Sequence, residues 1–176
     1  MGSLKRKMYS SYYKYERKTI DIEFVKQFIR HLPFKLTDDQ KNVVKEILDD
    51  MSSKTTMSRL LQGDVGSGKT IVAIISLIAN YTSSYQGALM APTDILARQH
   101  YNSLKELLKY SPIKVALLVS DMSSVDKKIV LSEIENGTID IVIGTHALIQ
   151  ESVKFNKLGL AVIDEQHRFG VKQRIA

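Results

Sequence analysis

The sequence predicts an α/β fold of three layers around a mostly parallel sheet. Three features carry that expectation. Short apolar runs alternate with segments of helical length between residues 60 and 163. A glycine-rich loop stands between the first of these runs and a helix. The last run ends in two adjacent carboxylates, Asp164-Glu165. In sheets of this kind ligands bind beyond the carboxyl ends of the strands, where such groups belong.

Composition sets the outer limits. A chain of 176 residues holds one domain with a sizeable core and hardly two. Its 44% hydrophobic and 25% charged residues are those of an ordinary globular protein. No apolar stretch approaches the ~18 residues of a membrane span, and no apolar run follows the basic start as in a signal peptide. Cysteine is absent, which excludes disulfides and thiolate metal sites and makes a cytoplasmic location the default.

The net charge of +6 is unevenly placed. Residues 1–18 hold six basic side chains (Lys5, Arg6, Lys7, Lys14, Arg17, Lys18) against Glu16, leaving 19 basic and 18 acidic residues in the rest of the chain. Residues 1–20 are therefore expected to form a basic arm or linker helix, ahead of a nearly neutral domain at 21–176. Met1-Gly2-Ser3 has the form of a tag remnant. Tyr9, Tyr12 and Tyr13 fall on one helical side, suited to docking on a neighbouring domain or to stacking on bases.

A helix is expected at 21–31, closed by the turn at Pro33. Thr37-Asp38-Asp39-Gln40 has the capping-box form. The helix it opens carries Val43, Val44, Ile47, Leu48 and Met51 at intervals of three and four, a buried stripe. Ser52 to Ser58 reads as a loop. Strands buried on both faces are expected at Leu60–Leu61, Ala88–Met90, Val115–Val119, Ile139–Ile143 and Leu160–Ile163. Helices at Lys69–Asn80, Asp94–Lys109 and Ser124–Asn136 separate them, implying right-handed crossovers.

Gly63-Asp64-Val65-Gly66-Ser67-Gly68-Lys69-Thr70 fits the phosphate-binding pattern G-x-x-x-x-G-K-[ST] in full. Glycines let the backbone wrap closely, so that successive N–H groups face the phosphates. The helix beginning near Lys69 adds its positive dipole end. Lys69 would bridge the β- and γ-phosphates of ATP, and the Thr70 hydroxyl would hold Mg2+. Asp164 is placed to hold the Mg2+ shell through water, and Glu165 to orient and deprotonate the attacking water. A bland alternative makes Asp164 a helix N-cap with Glu165 in its first turn.

Asp164-Glu165-Gln166-His167 followed by Arg168-Phe169-Gly170-Val171 resembles motif II of the RecG family of branched-DNA helicases in superfamily 2. Leu32-Pro33-Phe34-Lys35-Leu36-Thr37 with Gln40, and the phosphate loop preceded by Gln62, agree with it. So do Ala91-Pro92-Thr93 with Leu96-Ala97-Arg98-Gln99-His100, similar to motif Ia, and Ile143-Gly144-Thr145-His146-Ala147-Leu148, similar to motif Ib. The resemblance runs from about residue 21 to 176. Transcription-repair coupling translocases are close relatives, but they are expected to carry Glu where this chain has Gln166 and a bulky residue in place of Ser67.

The resemblance implies a RecA-like P-loop NTPase domain, the first motor domain of a helicase, lacking its final strand or strands. It implies ATP-driven unwinding of forked or branched DNA, with a second RecA-like domain and a wedge domain in the same parent chain. Gln40 would read the adenine edge with Phe34 near the base, although Gln40 equally suits the capping box. Pro92, Thr93, Gly144, Thr145 and His146 would line the DNA track, taking phosphates on amides and hydroxyls. For Thr93 a helix N-cap is the plain alternative, and for His146 a loop histidine. His167 would couple nucleotide state to DNA state. Arg98 departs from the acid expected there and receives no role. Without arginine fingers from a second domain, the span is expected to bind ATP–Mg2+ weakly and to hydrolyse it poorly. A sheet lacking a central strand is also expected to be open to self-association. A P-loop ATPase that does not act on nucleic acid is the alternative from another class.

Overall fold

A computed structural model describes residues 19–53 and 68–164, which fall into two compact units, Met1–Ser84 and Tyr85–Ala176. The basic arm and the strand expected at Leu60–Leu61 lie outside the described residues.

The described residues of the first unit form three helices. Helix α1 (Ile22–Arg30) is capped by Asp21, whose carboxylate accepts from the Phe24 N–H at 3.1 Å. Helix α2 (Asp38–Met51) opens with the expected capping box. Thr37 Oγ1 accepts from Gln40 N at 3.1 Å, and Gln40 Oε1 accepts from Thr37 N at 2.9 Å. Val44, Ile47 and Met51 are its buried residues. Helix α3 (Lys69–Thr82) is buried at every position from Ile71 to Asn80. Such an all-round apolar helix belongs in a core rather than on a surface. Val25 of α1 is buried, Phe24 packs against the Tyr81 ring, and the Asp21 N–H donates to Thr82 Oγ1, so α1 is tied to the end of α3.

The second unit carries a four-stranded sheet, parallel throughout, in the order β2-β3-β1-β4. Its strands are β1 (Gln86–Met90), β2 (Val115–Leu118), β3 (Ile141–Gly144) and β4 (Leu158–Ile163), with helix α4 (Asp94–Leu107) between β1 and β2 and helix α5 (Ser124–Glu135) between β2 and β3. Thr93 caps α4 and Ser123 caps α5, each accepting on its hydroxyl from an N–H three residues on. One core cluster joins Ala88, Ala116, Leu118 and Val142 of the sheet to Ile134 of α5 and to Leu148.

Two expectations are corrected. Only β3 is buried at all four positions; β2 alternates, and Ala161 of β4 is exposed. These two strands are the outer members of the described sheet, each with a strand neighbour on one side alone among the described residues. Ile139 is not part of β3. Its carbonyl is taken at 2.8 Å by the Gln86 side chain instead of by a strand ladder.

Gln86 is the polar staple of this unit. Its Nε2 donates to the Ile134 and Ile139 carbonyls, and its Oε1 accepts from Lys157 N at 2.9 Å. All three bonds are needed, because a buried amide left unpaired is costly. The β1–β4 register shifts beside it, with Gln86 opposite Leu158 but Gly87 opposite Leu160.

Candidate nucleotide and nucleic-acid site

In the first unit, Gly68, Lys69 and Thr70 form the entrance to α3, while Gly63, Gly66 and Ser67 lie outside the described residues. Gly68 takes φ +80, a left-handed conformation that favours glycine, and supplies no side-chain cap. Helix N–H groups without a side-chain cap are natural anion donors. A Cβ at Gly68 would collide with the Gln40 amide.

Gln40 takes its capping-box role through Oε1 alone. Its Nε2 reaches the Gly68 carbonyl at 3.4 Å, so the amide spans the start of α2 and the end of the phosphate loop. Phe34 is 48% exposed, open to a planar ligand.

In the second unit, the remaining described candidates gather beyond the carboxyl ends of the strands. Gly144 closes β3 and is packed so tightly that a Cβ would run into the Leu118 carbonyl oxygen and stand 2.9 Å from Leu148 Cγ. The Ala91 N–H donates to the Gly144 carbonyl at 2.8 Å, joining the segments after β1 and β3. Thr145 is buried at 6% exposure, and the exposed His146 begins a 3-10 turn, His146–Ile149, whose Leu148 is buried. Pro92, Thr145 and His146 line one cavity of about 300 Å³, together with Ser120 and Lys127. Lys127 Nζ donates to the Ser120 carbonyl at 2.7 Å, and Ser120 Oγ donates to Asp94 Oδ2 at 3.2 Å. Thr93 does not line this cavity. Its hydroxyl accepts from Leu96 N at 3.2 Å, the capping role.

Asp164 follows β4 directly. Its N–H donates to the Met90 carbonyl at 2.8 Å, and its Oδ2 lies 3.0 Å from His100 Nε2. The side chains are 9% and 13% exposed. Glu165 and His167 lie outside the described residues. The N-cap alternative for Asp164 would need backbone N–H groups beyond residue 164, which lie outside the described residues. A carboxylate and a threonine hydroxyl are hard oxygen donors of the kind Mg2+ takes, and Mg2+ ordinarily completes its shell with phosphates and waters. It therefore needs no all-protein cage, and among the described residues no group of three or more His, Cys, Asp or Glu forms one.

The family model for DEAD/DEAH box helicases matches residues 37–176. The chain belongs to the DEAD/DEAH box helicase family. Among its helicase relatives, the ATP-dependent DNA helicase RecG of Staphylococcus epidermidis is 56% identical over 154 residues, 88% of this chain and 22% of that protein. RecG of Thermotoga maritima is 54% identical over 159 residues, 90% of this chain and 20% of the relative. The structure of RecG bound to a three-way DNA junction aligns at TM-score 0.80 and 52% identity, over 87% of this chain and 21% of that one. The resemblance to RecG and the RecA-like fold are borne out. This helicase chain spans about a fifth of the length of the curated relatives it matches.

His100, quoted in the motif Ia segment, and Lys127 were given no role by the sequence. His100 sits between buried Ala97 and Leu104 on the inward stripe of α4, and a polar residue in an apolar stripe was the available signal. Lys127 had none, since one lysine on a helix is ordinarily a solvated charge.

Proposed function

We propose that this domain is the ATP- and Mg2+-driven motor of a bacterial DNA helicase that unwinds forked or branched DNA. One observation carries it: segments after β1, β2 and β3, distant in sequence, form a single cavity that includes Pro92, Thr145 and His146. A phosphotransfer enzyme acting on small molecules has no use for that second surface.

Lys69 would take the β- and γ-phosphates, and the amides of the Gly63–Thr70 loop would receive the rest of the triphosphate. Thr70 and Asp164 would hold the metal, and Glu165 would accept the proton of the attacking water. Bound Mg2+ supplies neutralisation of phosphate charge. Gln40 and Phe34 address the base, with Gln40 using its Nε2, since Oε1 is committed to the cap. Thr93, Gly144, Thr145, His146 and Pro92 form the DNA track, and His167 links the two ligands. Arginine fingers come from a second RecA-like domain and strand separation from a wedge domain, both elsewhere in the parent protein. The present span alone is therefore slower in hydrolysis by ~10³-fold or more.

The test uses the parent chain, a fluorescent ATP analogue and forked DNA. Lys69→Ala is expected to abolish Mg2+-dependent nucleotide binding, and forked DNA to change that affinity in the unsubstituted protein. Nucleotide affinity indifferent to every DNA tried would remove the helicase reading and leave an ATPase of another class.

A further inference from the structure

The helix that begins at the groove also touches the metal acid. Asp94, the first residue of α4, lines the cavity. His100, six residues and about 9 Å along the same helix, meets Asp164 at 3.0 Å. The geometry points to His100 as a positioning residue that aims the Asp164 carboxylate, with α4 linking groove occupancy to metal affinity. This rests on Asp164 being the metal acid and on the groove taking DNA.

The contact is built for orientation. The Asp164 backbone is held by the Met90 carbonyl on neighbouring β1, so the carboxylate moves mainly by rotating its own side chain. His100 Nε2–H, donating to Oδ2, sets that rotation. In a largely buried pair such a bond is stronger than in water. The helix is firm over this stretch: Thr93 caps it, and Ala97 and Leu104, on either side of His100, are fully buried. The residues around Asp94 are tied to the β2 loop through Ser120, which also carries Lys127. A phosphate entering the groove displaces or recruits these polar groups at the start of α4. A rigid helix then carries any shift to His100. Partners that orient a metal ligand are typically worth 10–100-fold in metal affinity.

The experiment measures Mg2+ half-saturation of fluorescent-ATP binding in the parent chain, with and without forked DNA, and nucleotide affinity in EDTA. His100→Ala is expected to raise the half-saturating Mg2+ concentration about 10–100-fold and to leave affinity in EDTA unchanged. Forked DNA is expected to shift half-saturation about 5-fold or more in the unsubstituted protein, and not in His100→Ala. His100→Gln, whose amide nitrogen reaches about as far as Nε2, is expected to restore most of both. If the alanine variant does not fold, His100→Leu is read in its place, as an apolar filler without the donor. Asp164→Asn separates the two failures. Mg2+ dependence untouched by Asp164→Asn overturns both the metal role and this inference. Dependence shifted by Asp164→Asn but not by removal of His100 overturns the inference alone, as does an equal loss of affinity in EDTA.

Discussion

At Gly144 the chain has no room for a methyl group, since the Leu118 carbonyl and the Leu148 side chain already fill the space. Gly144→Ala must therefore push β2 from β3 or displace the 3-10 turn that carries His146. The expected cost is about 1–3 kcal/mol, read by urea unfolding, with DNA affinity falling alongside because the groove wall moves. Asp140 shows a different residue-level effect. Burial raises its carboxyl above the ordinary 3.8, partly offset by the Lys114 backbone N–H and the Lys114 charge. The folded state then holds this proton more tightly than the unfolded chain does. Asp140 accordingly subtracts stability as pH rises from 3.8 through its raised folded value, and the loss persists above that window. Asp140→Asn keeps an acceptor for Lys114 N, which Oδ2 now serves at 2.8 Å. It is expected to raise Tm at neutral pH, with the gain shrinking as pH approaches 4.

Among elements, α4 carries the most functional consequence. Its start is set by the Thr93 cap, its inward stripe by Ala97 and Leu104, and a largely buried polar contact by His100. The Thr93 hydroxyl is both a cap and a candidate phosphate donor, and one substitution separates the roles. Thr93→Asp preserves a good N-cap while placing a negative charge beside the proposed DNA track. Thermal stability is expected to stay within about 0.5 kcal/mol, and DNA affinity to fall about tenfold or more, roughly the repulsion of one close charge pair at a protein surface. Unchanged affinity by anisotropy would leave Thr93 with the cap alone.

On the scale of the molecule, charge is concentrated in the first 18 residues, with 19 basic and 18 acidic side chains over all the rest. On the proposed reading, a nearly neutral domain would hold DNA through hydroxyls and amides more than through cations. DNA binding by residues 19–176 within the parent protein is therefore expected to lose much less affinity between ~50 and ~200 mM salt than the 10³–10⁵ typical of 6–10 phosphate contacts. A steep loss that disappears when Lys5, Arg6, Lys7, Lys14, Arg17 and Lys18 are neutralised would place the arm on the DNA.

Local chemistry made much of this protein legible in advance. The Thr37–Gln40 box, the helix opening at Lys69 and the strand ending at Asp164 all appear where the residues call for them, because caps, glycines and apolar periods act over three or four positions. The P-loop pattern and the Asp-Glu pair are sequence facts of the same kind. The Gln86 staple, the tight seat of Gly144, the cavity shared by Pro92, Thr145 and His146, and the grip of His100 on Asp164 were not legible. Each joins groups 26 to 71 residues apart, and such contacts depend on strand order and register. Those are settled only when the whole sheet packs, since burial and hydrogen-bond satisfaction are properties of the assembled core and not of any short stretch of chain.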